Sequence, residues 1–129
     1  MKLVRFPILA IATVLLVGTA AFADSHEHTS SPFQGAKANT GTVTHSRQGN
    51  KMVLTLSDDF KVPDTPDPHW QIVDSKGRVY LLEALKLKEG LMSKQITLPA
   101  YVPDVAKVQI WCAFAQTVLG QASFSSPVK

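Results

Sequence analysis

The sequence contains a single cysteine, Cys112, and this scarcity excludes several kinds of site. One cysteine cannot form a disulfide within the chain, so the stability of the fold must come from packing. There is no Cys-x-x-Cys pair for thioredoxin-type exchange and no Cys-x-x-Cys-His for covalent haem attachment. No histidine or methionine follows Cys112. The usual cupredoxin copper site, in which both follow the cysteine closely, therefore fits poorly.

An excess of charge of either sign is also missing. The chain has 13 basic and 10 acidic residues, a formal net charge of +3. Two of the basic residues, Lys2 and Arg5, lie in a segment that we expect to be removed, which brings the remaining chain close to neutrality. Nothing in this balance indicates binding to nucleic acid or to an acidic membrane surface.

The long apolar run of the sequence lies near its N-terminus, at residues 6–17. It follows Lys2 and Arg5 and is followed by Ala21-Phe22-Ala23, the small-x-small pattern that signal peptidase accepts. The run is shorter than the roughly 20 residues of a membrane span. We therefore predict that residues 1–23 are a cleaved signal peptide, that no membrane span remains, and that the protein is periplasmic or secreted.

Beyond the signal peptide, the sequence lacks helical periodicity. Residues 24–40 are rich in small and polar residues and are predicted to be a flexible lead-in. From residue 41 onward, alternating apolar residues are separated by Gly, Pro and Asn turn signals. Seven strands are predicted, the first of them an edge strand and the sixth a central one: 42–46, 52–57, 69–74, 78–85, 91–98, 105–115 and 118–124. Residues 41–129 are thus predicted to form an all-β antiparallel sandwich of about seven short strands with little helix.

Cys112 is the first candidate for chemistry. It lies in the apolar stretch Ile110-Trp111-Cys112-Ala113-Phe114, where one interpretation is a thiol buried as a small hydrophobic side chain. The other is a redox or ligand thiol, because an unused thiol is at risk of oxidation in an exported protein. A nucleophilic pair of Cys112 with His45 or His69 also stays open, since the sequence does not place these residues relative to each other.

Two further groups could contribute ligands. His26 and His28 flank Glu27, a pattern that can hold zinc or copper weakly, although two histidines in a flexible tail are not a complete site. Asp67 and His69 lie where a proline-rich loop meets the next strand, and either can be structural or functional. No nucleophile, base and orienting group can be named together, so a stand-alone enzyme is not predicted.

The chain from residue 54 to residue 124 resembles the DM-thirteen domain family of small extracellular β-sheet modules. The resemblance depends on Asp59-Phe60, Pro66-Asp67-Pro68-His69, Leu98-Pro99, Tyr101, Ile110-Trp111-Cys112, Gly120, Ala122 and Phe124. Two positions depart from the family pattern. Phe114 lies two rather than three residues after Cys112, and Thr65 stands where the family has glycine.

The resemblance implies a role in electron transfer, with Cys112 as a redox or haem-contacting residue flanked by Trp111 and Phe114. Haem or copper would be the cofactor, and a cytochrome or another redox protein of the cell envelope would be the partner. The alternative is a binding or structural module of the envelope without a cofactor. Such a module would make its contacts through the proline-rich loop or an exposed strand edge.

Overall fold

The computed structural model describes residues 27–85 and 94–129, together with the strand backbones at 87–88 and 91–92. The predicted signal peptide and His26 lie outside the described residues. Ten strands are present in the described part of the chain, and all of their pairings are antiparallel. They are β1 (His28–Thr29), β2 (Val43–Gln48), β3 (Lys51–Leu56), β4 (Pro68–Val73), β5 (Val79–Ala84), β6 (Leu87–Lys88), β7 (Leu91–Met92), β8 (Gln95–Thr97), β9 (Val105–Cys112) and β10 (Thr117–Val128).

The strands form two four-stranded sheets and one small hairpin. The first sheet has the order β1-β2-β3-β8, the second has the order β10-β9-β4-β5, and β6 pairs with β7. No helix occurs among the described residues. The predicted all-β antiparallel sandwich is confirmed, with the strand predicted over 91–98 divided into β7 and β8.

The core lies between the two sheets and is built by alternation along the strands. In the second sheet, Trp70 of β4 lies opposite Ile110 of β9 and Ile72 lies opposite Val108, and all four side chains are buried. Leu54 of β3 contributes from the first sheet, where it lies opposite Ile96 of β8. Because side chains on a strand point to opposite faces in turn, each strand supplies the core with every second residue. The central position predicted for 105–115 is confirmed, since β9 lies between β10 and β4.

Residues 30–40 differ from the flexible lead-in that the composition predicts. Phe33 is 1% exposed and Ala38 is fully buried. Gln34 pairs with Gln121 of β10 through backbone hydrogen bonds of 2.9 Å in both directions. This stretch is therefore packed along β10 and is part of the sandwich.

Gly120 allows this close packing of backbone on backbone. A Cβ atom at residue 120 would overlap the carbonyl group of Ala38, and one at Gly35 would overlap the backbone of Leu119 and Gly120. Glycine is the residue that permits such an approach. The sequence predicts a bend or close contact at Gly120, and the structure confirms the close contact.

The first predicted strand also differs in one respect. Residues 42–46 read as an edge strand because they are polar and β-branched, yet β2 lies between β1 and β3. β1 consists of only two residues, His28 and Thr29, which pair with His45 and Thr44. The pairing covers the middle of β2, where His45 is fully buried.

Candidate functional site

Cys112 lies at the C-terminal end of β9 with its side chain in the core. It is 1% exposed, and its register partners are Pro68 of β4 and Thr117 of β10. The amide of Ala115 donates a hydrogen bond of 3.4 Å to its sulfur, and the amide of Gln116 donates one of 2.7 Å to its carbonyl oxygen. The thiol is thus covered by the turn that joins β9 to β10, and Gln116 in this turn has a φ of 54°.

The structure does not bring the three predicted residues of the thiol site together. Trp111 lies on the opposite face of β9, where it is half-buried on the outside of the second sheet. Phe114 lies in the turn and is 77% exposed. Its ring is therefore in contact with solvent and does not pack around the sulfur. Cys112 therefore shares no pocket with the two aromatic side chains predicted to flank it.

Asp67 and His69 form a pair on the outer face of the second sheet. The His69 ring lies 2.8 Å through Nδ1 from the carbonyl oxygen of Leu82 and 3.0 Å through Nε2 from Asp67 Oδ1. Leu82 lies at a register shift between β4 and β5, where one strand carries an extra residue. The ring therefore supports the bulge with Nδ1 as the donor, which is a structural task.

Neither histidine considered as a base reaches the thiol. His69 lies opposite Trp111, on the face of the sheet away from the Cys112 side chain. His45 belongs to the other sheet and packs against Phe124, near the far end of β10 from Thr117. A Cys–His nucleophilic pair is not formed in this structure.

The burial of His45 is not anticipated from the sequence, which names this residue only as a possible partner of Cys112. Its side chain is fully buried, and neither Nδ1 nor Nε2 has a hydrogen-bond partner in the described structure. Burial, with smaller contributions from His28 and Arg47, lowers the pKa of His45 below 6.5. The ring is therefore neutral at neutral pH. Alternation from the buried Val43 could have indicated that His45 points inward.

His28, predicted as a weak metal ligand with His26, lies directly opposite His45 in the β1–β2 pair. The two ring centroids are 6.2 Å apart and the ring planes are tilted by 46°. The same side of both strands carries these rings, because directly opposite residues share a face. Within the described residues there is no group of three or more His, Cys, Asp or Glu side chains arranged to hold a metal ion.

A groove runs along one open side of the sandwich, between the edge of the second sheet and that of the first. It has a volume of about 310 Å³ and is lined by Leu81, Leu82 and Glu83 of β5, Ile96 and Thr97 of β8, and Pro99 and Tyr101. Val79 and Leu81 of β5 are 57% and 51% exposed, and Tyr101 is exposed as well. We call this surface the edge groove.

A second cleft of about 480 Å³ lies at the end of the β2–β3 hairpin. Its wall includes the cationic Arg47 and Lys51 beside Met52, Leu98 and Val102. None of the residues predicted to carry chemistry lines it, so it does not join the sites described above.

Comparison with known proteins does not assign any of these sites. No protein-family model matches the chain, and no curated protein and no solved structure matches it. The resemblance to the DM-thirteen family accordingly stays a prediction from Cys112 and its surrounding residues. In the part of the chain that the structure describes, no helix is long and apolar enough to cross a bilayer.

Proposed function

We propose that this protein is exported by a signal peptide cleaved after Ala23 and acts in the periplasm or outside the cell as a non-catalytic binding module. The edge groove is its binding surface. The observation that carries the proposal is the exposure of Val79 and Leu81 on a strand that ends its sheet. Soluble proteins usually protect such edges with charge, proline or a covering element.

The edge groove suits an added strand. Among the described residues, β5 pairs only with β4 and β8 pairs only with β3, so each strand has one side without a strand neighbour. A six-residue strand such as β5 offers alternate backbone donors and acceptors along that side. Added strands bind through these groups and gain specificity from pockets for every second side chain.

The chemistry of the groove defines the occupant. Leu81, Ile96 and Pro99 give the groove an apolar lining beside Glu83. The exposed ring of Tyr101 also lines it and lies 6.0 Å from the ring of Tyr80. We therefore infer that the partner supplies an extended segment of a cell-envelope protein, with apolar side chains at alternate positions.

Photo-crosslinking tests this function. A photoreactive amino acid at Leu81 should capture a partner in living cells, with the crosslink mapping to an extended apolar segment. The same group at Ser125, an exposed residue near the end of β10, is the matched control and should capture none.

Substitution supplies the second arm of this test. Leu81→Lys should weaken binding of the mapped segment at least about tenfold, because it places a positive charge in the apolar lining of the groove. Ser125→Lys should leave binding unchanged. Equal capture at Leu81 and Ser125, or undiminished binding by Leu81→Lys, would contradict the proposal.

Electron transfer through Cys112 is the second candidate. The hydrogen bond from the Ala115 amide to the sulfur favours this function, because hydrogen bonds to a cysteine sulfur tune the reduction potential of the centre that the sulfur ligates. Under this function, wild-type protein supplied with haem or copper gains visible absorbance or bound metal, and Cys112→Ala does not. The electron-transfer function is excluded if both proteins stay colourless and metal-free.

A further inference from the structure

His45 occupies a place where an imidazole is unfavourable. Its ring lies in the interior beside Leu54, its register partner on β3, and meets the ring of Phe124 edge-on at a centroid distance of 6.3 Å. Both ring nitrogens are buried, and neither has a hydrogen-bond partner among residues 27–85 and 94–129. Buried polar atoms in folded proteins are nearly always paired, and an exception calls for a reason such as a ligand.

His28 lies at the outer end of the same row. It is exposed, it is opposite His45, and its ring centroid is 6.2 Å from that of His45. Two imidazoles that share one ion at the usual Zn–N distance of about 2.0–2.1 Å have centroids about 5–6 Å apart. The separation in the structure, 6.2 Å, is slightly longer than this range, so the two rings would move together by a few tenths of an ångström to share an ion. The exposed His28 gives the ion a route from solvent.

We propose that His28 and His45 together bind one late first-row transition-metal ion, with water completing its coordination. Imidazole nitrogens are ligands that zinc and copper prefer. Because β1 and β2 are hydrogen-bonded neighbours, the ion would also tie the short β1 strand to the sandwich. This site is separate from the edge groove and from Cys112, so it stands or falls independently of the proposed function.

The charges around the pair are compatible with a cation. The ligand form of histidine is the neutral ring. Arg47 is the cation next along the same face of β2, and it is exposed, so solvent screens its repulsion. Glu27, the exposed residue before His28, contributes a negative charge close to the site.

The choice of probe ion matters because of the residues that precede β1. After cleavage behind Ala23 the chain would begin Asp24-Ser25-His26, and a free amino terminus with histidine as the third residue chelates Cu²⁺ by itself. Zn²⁺ and Co²⁺ are therefore the probes, and His26→Ala is the control that separates the two kinds of binding.

The experiment titrates the protein as secreted with Zn²⁺ against a chromophoric chelator and records the visible spectrum with Co²⁺. We expect one ion per chain, a higher melting temperature with Zn²⁺, and a Co²⁺ spectrum of low coordination number. His28→Ala and His45→Leu should each weaken Zn²⁺ binding at least tenfold and remove the increase in melting temperature. His26→Ala should retain both the Zn²⁺ affinity and this increase. Without metal, His45→Leu should melt no lower than wild type, which shows that it folds.

Two results would overturn the proposal. One is Zn²⁺ affinity in His45→Leu equal to that of the wild type. The other is binding that His26→Ala abolishes while His28→Ala and His45→Leu preserve it, since the ion would then be held by the N-terminal residues alone.

Discussion

Asp74 shows how a single residue can organise a turn. It is 2% exposed and lies just after β4. One carboxylate oxygen accepts the amides of Lys76 and Arg78 at 2.9 and 2.8 Å. The other accepts Arg78 Nε at 2.7 Å and the Tyr80 hydroxyl at 2.9 Å. Burial alone would raise the pKa of Asp74, but these hydrogen bonds, led by the Arg78 side chain, outweigh it and lower the pKa to about 2.

A pH-dependent contribution to stability follows from Asp74. The carboxyl has a pKa of 3.8 in the unfolded chain and about 2 in the folded one, so its contribution is complete above pH 3.8. It is lost as the pH falls through this interval, because the unfolded state binds the proton first. Asp74→Asn should lower the urea midpoint of unfolding at pH 7. It should also reduce the decrease of this midpoint between pH 4 and pH 2.

Asp64→Asn is the matched control for this prediction, because Asp64 is exposed in the proline-rich loop. It should leave both the midpoint and its pH dependence unchanged. If Asp74→Asn showed the wild-type slope between pH 4 and pH 2, the hydrogen bonds around Asp74 would not be responsible for the acid sensitivity.

At the scale of elements, residues 30–40 lie along β10 at the edge of the second sheet and are hydrogen-bonded to it. The amide of Ser31 donates to the Ser123 carbonyl at 2.8 Å, and the amide of Ala38 donates to the Leu119 carbonyl at 3.0 Å. Phe33 packs against Phe60 with ring centroids 5.2 Å apart. An irregular segment with such contacts contributes to the core as a strand would.

Two phenylalanines of opposite burial test the weight of this segment. Phe33→Ala should lower the free energy of unfolding by about 3–4 kcal/mol, because a large buried ring is removed. Phe114→Ala should change it by about 0.5 kcal/mol or less, because that ring is exposed. Chemical denaturation measures both. Equal effects of the two substitutions would mean that residues 30–40 are not part of the cooperative fold.

The sequence predicts the strands better than it predicts their surroundings. Alternation in 52–57 and the apolar stretch 105–115 identify β3 and β9, because burial on one or both faces leaves a local pattern. Phe33 and Ala38 leave no such pattern, since the ring of Phe33 packs on Phe60 and the amide of Ala38 bonds to Leu119 of β10, both far along the chain. Local composition could not reveal that residues 30–40 pack beside β10.

The same limit applies to the candidate site. Cys112 and its apolar neighbours are visible in the sequence, and the structure places the thiol in the core as one interpretation expects. The opposite faces of Trp111 and Cys112 follow from alternation, but the turn that exposes Phe114 does not. The pairing of His28 with His45 depends on the register of β1, a two-residue strand that no periodicity marks.

At the scale of the whole molecule, Cys112 reports on opening of the sandwich. With its sulfur enclosed, the thiol should react with a disulfide reagent only when the β9–β10 end opens. We expect labelling of the native protein to be at least about a thousandfold slower than labelling of the unfolded chain, and to accelerate with urea. Absorbance of the released thiol reagent measures both rates. Rapid labelling of the native protein at neutral pH would instead indicate a reachable thiol and would strengthen the electron-transfer candidate.

The attachment of residues 30–40 to β10 has a consequence for how the chain matures. The backbone partners of Gln34 and Ala38 are supplied by β10, which follows the other nine described strands along the chain. Contacts between segments so distant in sequence form slowly, because a long loop must close before they are gained. A nascent chain in which β10 is not yet available therefore lacks the hydrogen-bond partners of residues 30–40. Completion of the fold is then deferred until residues 117–128 have been synthesised and can pair with residues 30–40.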